Sequence, residues 1–229
     1  MGSRRLITER EILDYVRQGQ RTIRVDGPYL LTPLAADAAR ANGIVMVAET
    51  VRPDNDGGKA LQSTPPADQR IVLPIAIGAD HGGFELKMEL SKHIESGGRA
   101  VLDVGTHSNA RCDYPDFAYA VAIAVKSQVA SCGIMIDGAG PGSAIVANKV
   151  PGIRAACAYN EFAAWNARAH NDCNVLTLGS RATGIEVCKR IVDVFFSTGF
   201  EGGRHQGRVD KIRDVETRFA SAEYNGRKC

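Results

Sequence analysis

From residue 71 onward, short apolar runs alternate with amphipathic segments, and this alternation restricts the chain to very few folds. The apolar runs fall at Ile71 to Gly78, Ala100 to Val104, Cys132 to Ile136, Ala155 to Ala158 and Val175 to Leu178. The amphipathic segments predict helices over Phe84 to Ser96, Phe117 to Ser127, Gly142 to Val150, Glu161 to Ala169 and Gly184 to Ser197. Strands apolar on both faces, each followed by a helix, pack as a parallel sheet covered on both sides. The expected class is α/β with a doubly wound parallel sheet, and such a sheet takes its ligands outside the carboxyl ends of its strands.

A smaller unit precedes this pattern. Thr8 and Glu11 fit a capping box for a helix over Thr8 to Gln18, in which Ile12, Leu13 and Val16 make a short apolar stripe. A strand at Thr22 to Val25, a turn at Asp26-Gly27-Pro28, a helix opening at Thr32-Pro33 and a strand at Ile44 to Val47 complete a small N-terminal α/β module over residues 1–50. The run RPDNDGGKALQSTPPADQR within Val51 to Arg70 has no periodicity and reads as a linker. The regular domain then spans 71–216, and 217–229 reads as a tail.

Several classes of function fall away. A net charge of +2, with basic residues scattered, gives no nucleic-acid surface. No run approaches the roughly 18 apolar residues that cross a bilayer, and MGSRRLITEREILDY offers no apolar signal core, so a cytoplasmic protein is expected. The six cysteines form neither a CxxC pair nor a cluster with histidine, so they read as free thiols and no metal is expected. The loop Asp137-Gly138-Ala139-Gly140-Pro141-Gly142 breaks the dinucleotide spacing, Pro141 removes an amide donor, and Glu161 is poorly placed as a ribose acid. No organic cofactor is expected either.

Four polar segments follow or flank the strands. In Gly78-Ala79-Asp80-His81-Gly82-Gly83, Asp80 and His81 could meet a hydroxyl or a phosphate, or simply cap a helix. The amides of Gly138, Ala139, Gly140 and Gly142 precede a helix and could gather on an anion such as an enediolate oxygen. Arg168-Ala169-His170-Asn171-Asp172 lies between a helix and a strand, where His170 could work as a general acid or base or be an ordinary polar loop residue. Arg181, Arg204 and Arg208 offer guanidinium forks that suit phosphate oxygens.

Taken together, GADHGGFELK (Gly78 to Lys87), DVGT and DYPDFA (within Asp103 to Ala118), GAGPGSAIVANKVPGIRAA (Gly138 to Ala156), HNDCNVLTLGSR (His170 to Arg181) and EGGRHQGRVDKI (Glu201 to Ile212) resemble the ribose-5-phosphate isomerase B and galactose-6-phosphate isomerase group. The resemblance covers residues 71 to about 216. It implies a Rossmann-like fold, a homodimer or homotetramer whose sites draw on two subunits, and an aldose–ketose isomerase of a phosphorylated sugar working through a cis-enediolate without metal. It also implies that His170 opens the sugar ring with Asp80, that Asn171 positions the substrate near the glycine loop, that Arg181, Arg204, Arg208 and His81 hold the phosphate, and that Tyr114 lines the sugar pocket. Ribose 5-phosphate and ribulose 5-phosphate are the expected pair, with tetrose and hexose phosphates as alternatives.

The chain departs from that group at the base. Many members carry a cysteine where this chain has Asp137, others a glutamate where it has Pro141, and a threonine is replaced by Ala139. Asp137 is therefore read either as a carboxylate base or as an acceptor for the amides of its own turn, the latter in a non-catalytic sugar-phosphate-binding or scaffold subunit. The N-terminal LLTPLAADAARANGIVMV resembles pieces of enzymes from bacterial microcompartments. A shell or enzyme partner held by the helix stripe is one reading, and a stripe spent inside the module is the other.

Overall fold

The structure, a computed structural model, describes residues 5–27, 29–49 and 72–220. They fall into two compact units on either side of residue 73.

In the first unit, β1 (Arg5–Ile7) leads to α1 (Glu9–Arg17), β2 (Thr22–Asp26), β3 (Tyr29–Leu31), α2 (Pro33–Ala41) and β4 (Val45–Glu49). The expected capping box closes α1: the Glu11 amide donates to Thr8 Oγ1 at 3.4 Å, and the Thr8 amide donates to Glu11 Oε2 at 3.1 Å. Two parallel strand pairs form, β1 with β3 and β2 with β4. Ile12 is fully buried with Ile7, Ile23, Val25 and Ala35. Of the stripe read from the sequence, Ile12 is fully buried in the module's own core, while Leu13 and Val16 are half-buried.

In the second unit the chain runs β5 (Ile75–Ala79), α3 (Phe84–Ser96), β6 (Val101–Asp103), α4 (Tyr114–Lys126), β7 (Cys132–Asp137), α5 (Pro141–Ala147), β8 (Ala155–Cys157), α6 (Glu161–Asn171), β9 (Val175–Gly179), α7 (Ile185–Ser197), a 3-10 turn at Gly203–His205 and α8 (Gln206–Ala220). The five strands are parallel in the order β6-β5-β7-β9-β8. Ile77, Ile134, Ile136, Leu176 and Leu178 face a core built with Leu90 of α3, Ala164 of α6 and Ile191 and Phe195 of α7. On the other face, Val121 of α4 packs against Gly78 and Gly133, where a Cβ on either glycine would collide with it. The class is the expected one, a doubly wound Rossmann-like sheet. The chain crosses back over β5 after β6, so the switch point lies between β5 and β7 and opens a crevice at their carboxyl ends.

Strand β5 begins at Ile75 and not Ile71, α4 begins at Tyr114 and not Phe117, and two further differences bear on the site. Helix α6 continues through His170 and Asn171 and ends at Asp172, which takes the left-handed conformation at φ 47°, so His170 sits in a last helical turn and not in a loop. Helix α8 extends to Ala220, through residues assigned to the tail. The whole linker and residues 221–229 lie outside the described residues. Among the described residues no helix is long and apolar enough to cross a membrane.

Candidate active site

The crevice gathers the loops that follow β5, β7 and β9. The Asp80 amide donates to the Ile136 carbonyl at 3.2 Å, the Ser180 amide to the Asp137 carbonyl at 2.8 Å, and the Arg181 amide to the Gly138 carbonyl at 3.1 Å. Ser180 Oγ donates to the Gly82 carbonyl at 2.7 Å, tying the first loop to the third. Asp80, 7% exposed, uses Oδ1 to accept the amides of Gly82 at 2.9 Å and Gly83 at 3.0 Å. His81 Nδ1 lies 3.0 Å from the Cys112 carbonyl, which fixes the ring and directs Nε2 away from that contact. The ring of Tyr114 lies over Gly142, about where a Cβ would stand.

Asp137, 5% exposed, ends β7 at the centre of this group. Its Oδ1 accepts the Ala139 amide at 2.7 Å and the Gly140 amide, while Oδ2 accepts the Ser143 amide at 3.3 Å and the Ser143 hydroxyl. This corrects one expectation. The amides of Ala139 and Gly140 are turned onto Asp137 itself and do not point at a substrate oxygen, because a buried carboxylate must satisfy its lone pairs and the turn supplies the nearest donors. Gly138 and Gly142 are the loop amides left to the crevice. Gly140, at φ 101°, turns the chain tightly enough that Thr177 Oγ1 reaches its carbonyl at 2.9 Å.

Cys157, at the end of β8, brings its thiol to the back of this loop, 4.0 Å from the Ala139 carbonyl, where Tyr159 also donates at 3.3 Å. The hydrogen bond to Cys157, then desolvation and the proximity of Cys157 and Asp137, raise the Tyr159 phenol above its ordinary value. Cys132 begins β7 at the far end of the strand, and burial pushes its thiol up to about 11.

The remaining predicted residues form a second group elsewhere. Asp137 pairs in register with Gly179, and Gly133 with Val175, so four strand residues at about 3.3 Å each, roughly 13 Å, separate the two edges of the sheet. Helix α6 starts beyond the carboxyl end of β8 and runs back, which carries His170 and Asn171 to the amino edge. The Glu201 amide donates there to the Ala169 carbonyl at 3.0 Å and brings Arg204, His205 and Arg208 along. In one chain, therefore, His170 does not meet Asp80, Asn171 does not approach the glycine loop, and Arg204 and Arg208 lie apart from Arg181 and His81. Both Arg204 and Arg208 are exposed, as is Arg181.

Three side chains of this second group went unrecognised in the sequence. The imidazoles of His170 and His205 stack with centroids 3.9 Å apart and an interplanar angle of 8°. Glu201 Oε2 lies 3.6 Å from His170 Nε2 and 3.7 Å from His205 Nε2. Asn166 Nδ2 donates to His170 Nδ1 at 2.8 Å. Among the described residues, His170, Glu201 and His205 also make a cluster whose ligand atoms lie within 4.8 Å of one another. Parallel stacked rings aim their nitrogen lone pairs side by side, so they do not converge on one cation. The spacing Glu201-x-x-x-His205 was the signal available, hidden in a glycine-rich segment that reads as a turn.

Residues 75–212 match the model of the Ribose/Galactose Isomerase family. Over 144 residues the chain is 47% identical to ribose-5-phosphate isomerase B of Escherichia coli, which spans 63% of this chain and 97% of that protein. A solved structure of Clostridium thermocellum ribose-5-phosphate isomerase B superposes with a TM-score of 0.63 at 48% identity, covering 64% of this chain and 99% of that one. A second, from Mycoplasma genitalium with bound ribulose-5-phosphate, gives 0.61 at 43% identity over 63% and 97%. With the family model covering more than half of the chain, and with the doubly wound sheet and its crevice in place, the chain belongs to the Ribose/Galactose Isomerase family and is an aldose–ketose isomerase.

Proposed function

We propose that the chain interconverts ribose 5-phosphate and ribulose 5-phosphate through a cis-enediolate, at sites each completed by two copies of the chain. The observation that carries this reading is the split of the site residues between the two edges of one sheet. Asp80, His81, Tyr114, Asp137 and Arg181 stand at the carboxyl edge, and His170, Asn171, Arg204 and Arg208 at the amino edge. A second copy that presents its amino edge to the first copy's crevice joins them. Among the described residues, Ile212, Val215 and Phe219 of α8 are exposed, as a meeting surface requires. The substrate follows from the relatives, one of which holds ribulose 5-phosphate.

In this reading His170 of one copy and Asp80 of the other open the furanose. Asn171 and Tyr114 position the open chain, and the arginines with His81 hold the phosphate. Asp137 carries the proton between C1 and C2, while the amides of Gly138 and Gly142 stabilise the enediolate. Neither a metal nor an organic cofactor has a step in it.

The test is turnover of ribose 5-phosphate, beside tetrose and hexose phosphates, in D2O. Deuterium entering at C1 of the ribulose 5-phosphate formed, and at C2 of ribose 5-phosphate on reversal, with ribose 5-phosphate preferred, is the expected result, and turnover of another sugar alone would refute the substrate. Co-refolding His170→Ala with Asp137→Asn chains should restore about a quarter of wild-type activity through the one intact site of each mixed pair; no restoration would refute the shared site. Arg204→Ala and Arg208→Ala should each raise KM strongly.

The donors that surround Asp137 favour a second reading of that residue, as the anchor of its turn. Asp137→Cys separates the two. A thiol at this position supports proton transfer where Asp137→Asn abolishes it, if the position holds the base. If Asp137 is only an anchor, both variants lose melting temperature together and activity follows stability.

A further inference from the structure

His170 is held by more than its place on α6. Asn171 Nδ2 donates to both the Asn166 backbone carbonyl and Asn166 Oδ1 at 3.3 Å, which turns the amide oxygen of Asn166 toward Asn171. Its NH2 group therefore faces His170 Nδ1, to which it donates at 2.8 Å. A ring nitrogen that accepts a hydrogen bond carries no proton, so the proton of the neutral imidazole must sit on Nε2. The Nε2 side faces Glu201, the acceptor that lies beside it. The plane of the ring is fixed from one face by His205, which is 3% exposed, and from its edge by Trp165 at 5.0 Å.

We propose that Asn166 is a positioning residue that sets His170 as its Nε2–H tautomer, so that His170 meets the sugar as a neutral hydrogen-bond donor to the ring oxygen. The inference rests on the reading of His170 as the ring-opening residue. It changes what that residue does: the lone pair is occupied by Asn166, and the group presented to the substrate is an N–H. Arg204 Nε donates to His205 Nε2 at 3.2 Å, and desolvation first, then the neighbouring Arg204 and Arg208, hold His205 below its ordinary value against the opposite pull of Glu201. His205 is the plate against which His170 stacks, with ring centroids 3.9 Å apart.

Nitrogen-15 NMR of the histidine side chains in the full-length protein above pH 7 tests the assignment directly. Wild type should show the His170 proton on Nε2. Asn166→Asp replaces the donor by an acceptor of the same shape and should move that proton to Nδ1, while Asn166→Ala should leave a mixture of tautomers. For ribose 5-phosphate, Asn166→Asp should lower kcat roughly 10²-fold with KM changed less than twofold, and spare the rate from open-chain ribulose 5-phosphate. A proton on Nδ1 in wild type, or a tautomer unmoved in both variants, would overturn the proposal. A wild-type protein with the Nε2–H tautomer and no turnover on any sugar phosphate would instead refute the isomerase chemistry assigned to His170 and leave the role of Asn166 standing.

Discussion

Lys87→Met tests how the crevice is supported. Lys87 is fully buried on α3, four residues after the Gly83 cap, and its ammonium donates to Asp103 Oδ1 at 2.8 Å, Asp103 Oδ2 at 2.6 Å and the Thr106 carbonyl at 2.7 Å. All three ammonium protons are accounted for. The pair ties the start of α3 to the end of β6, and so holds the β5 loop with Asp80 and His81 in place. Methionine keeps the length of the side chain and removes the charge, stranding the carboxylate and the Thr106 carbonyl. Breaking a buried pair costs about 3–5 kcal/mol. The Asp103 side chain is 25% exposed and keeps the Gly105 amide at 2.9 Å, so water and that donor relieve part of the loss and about 3 kcal/mol is expected. For a domain of this size that is roughly 6–12 °C in melting temperature. Thermal unfolding of wild type, Lys87→Met and the double variant Lys87→Met/Asp103→Leu measures it, and the double variant should recover part of the loss because it removes the unpaired charge. A single variant within 2 °C of wild type, or a double variant less stable than the single, would refute the argument.

Other outcomes follow from the same contacts. Gly83→Ala places a Cβ against the Ile136 carbonyl of β7, which cannot yield without moving Asp137, so a loss of about 1–3 kcal/mol in urea unfolding accompanied by lower activity is expected. Because burial and neighbouring positive charges depress His205 in the folded protein, the unfolded chain binds the extra proton first; stability is full above the ordinary value of 6.5 and falls as pH drops below it. His205→Phe should flatten that slope between about pH 7 and 5, and an unchanged slope would contradict it. Burial pushes the thiols of Cys132 and Cys173 up to about 11 from 9.0, so at pH 8 their thiolate fraction is roughly 100-fold smaller and iodoacetamide should label Cys112 and Cys157 first. Early labelling of Cys173 would show that the sheet is open at its amino edge.

The second unit was legible in the sequence where pattern and position agree. Helix α3 occupies Phe84–Ser96 as read from its periodicity, and Asp80, Tyr114 and Asp137 stand at strand ends or the helix start beside them. The three-residue strands β1 and β3 were missed because segments so short carry no period. Helix α8 was missed for another reason: of its apolar positions Val209, Ile212, Val215 and Phe219, only Val209 is buried within the chain, and its first residues sit among glycines and arginines that read as a turn. The end of α6 was misplaced because His170, Asn171 and Asp172 are loop-prone residues, and a left-handed cap at Asp172 completes the helix after them.

The sequence by itself determined the layered sheet, the crevice at its carboxyl edge and the types of residue available for sugar-phosphate chemistry, because hydrophobic period and glycine placement act locally along the chain. Only the tertiary structure decided which of those residues meet. Helices in a parallel sheet run against the strands they connect, so a motif at a helix end is carried to the opposite edge from a motif at a strand end. This places His170 with Asn166, Glu201 and His205, turns the Ala139 and Gly140 amides onto Asp137, and leaves these two groups of residues about a strand's length apart.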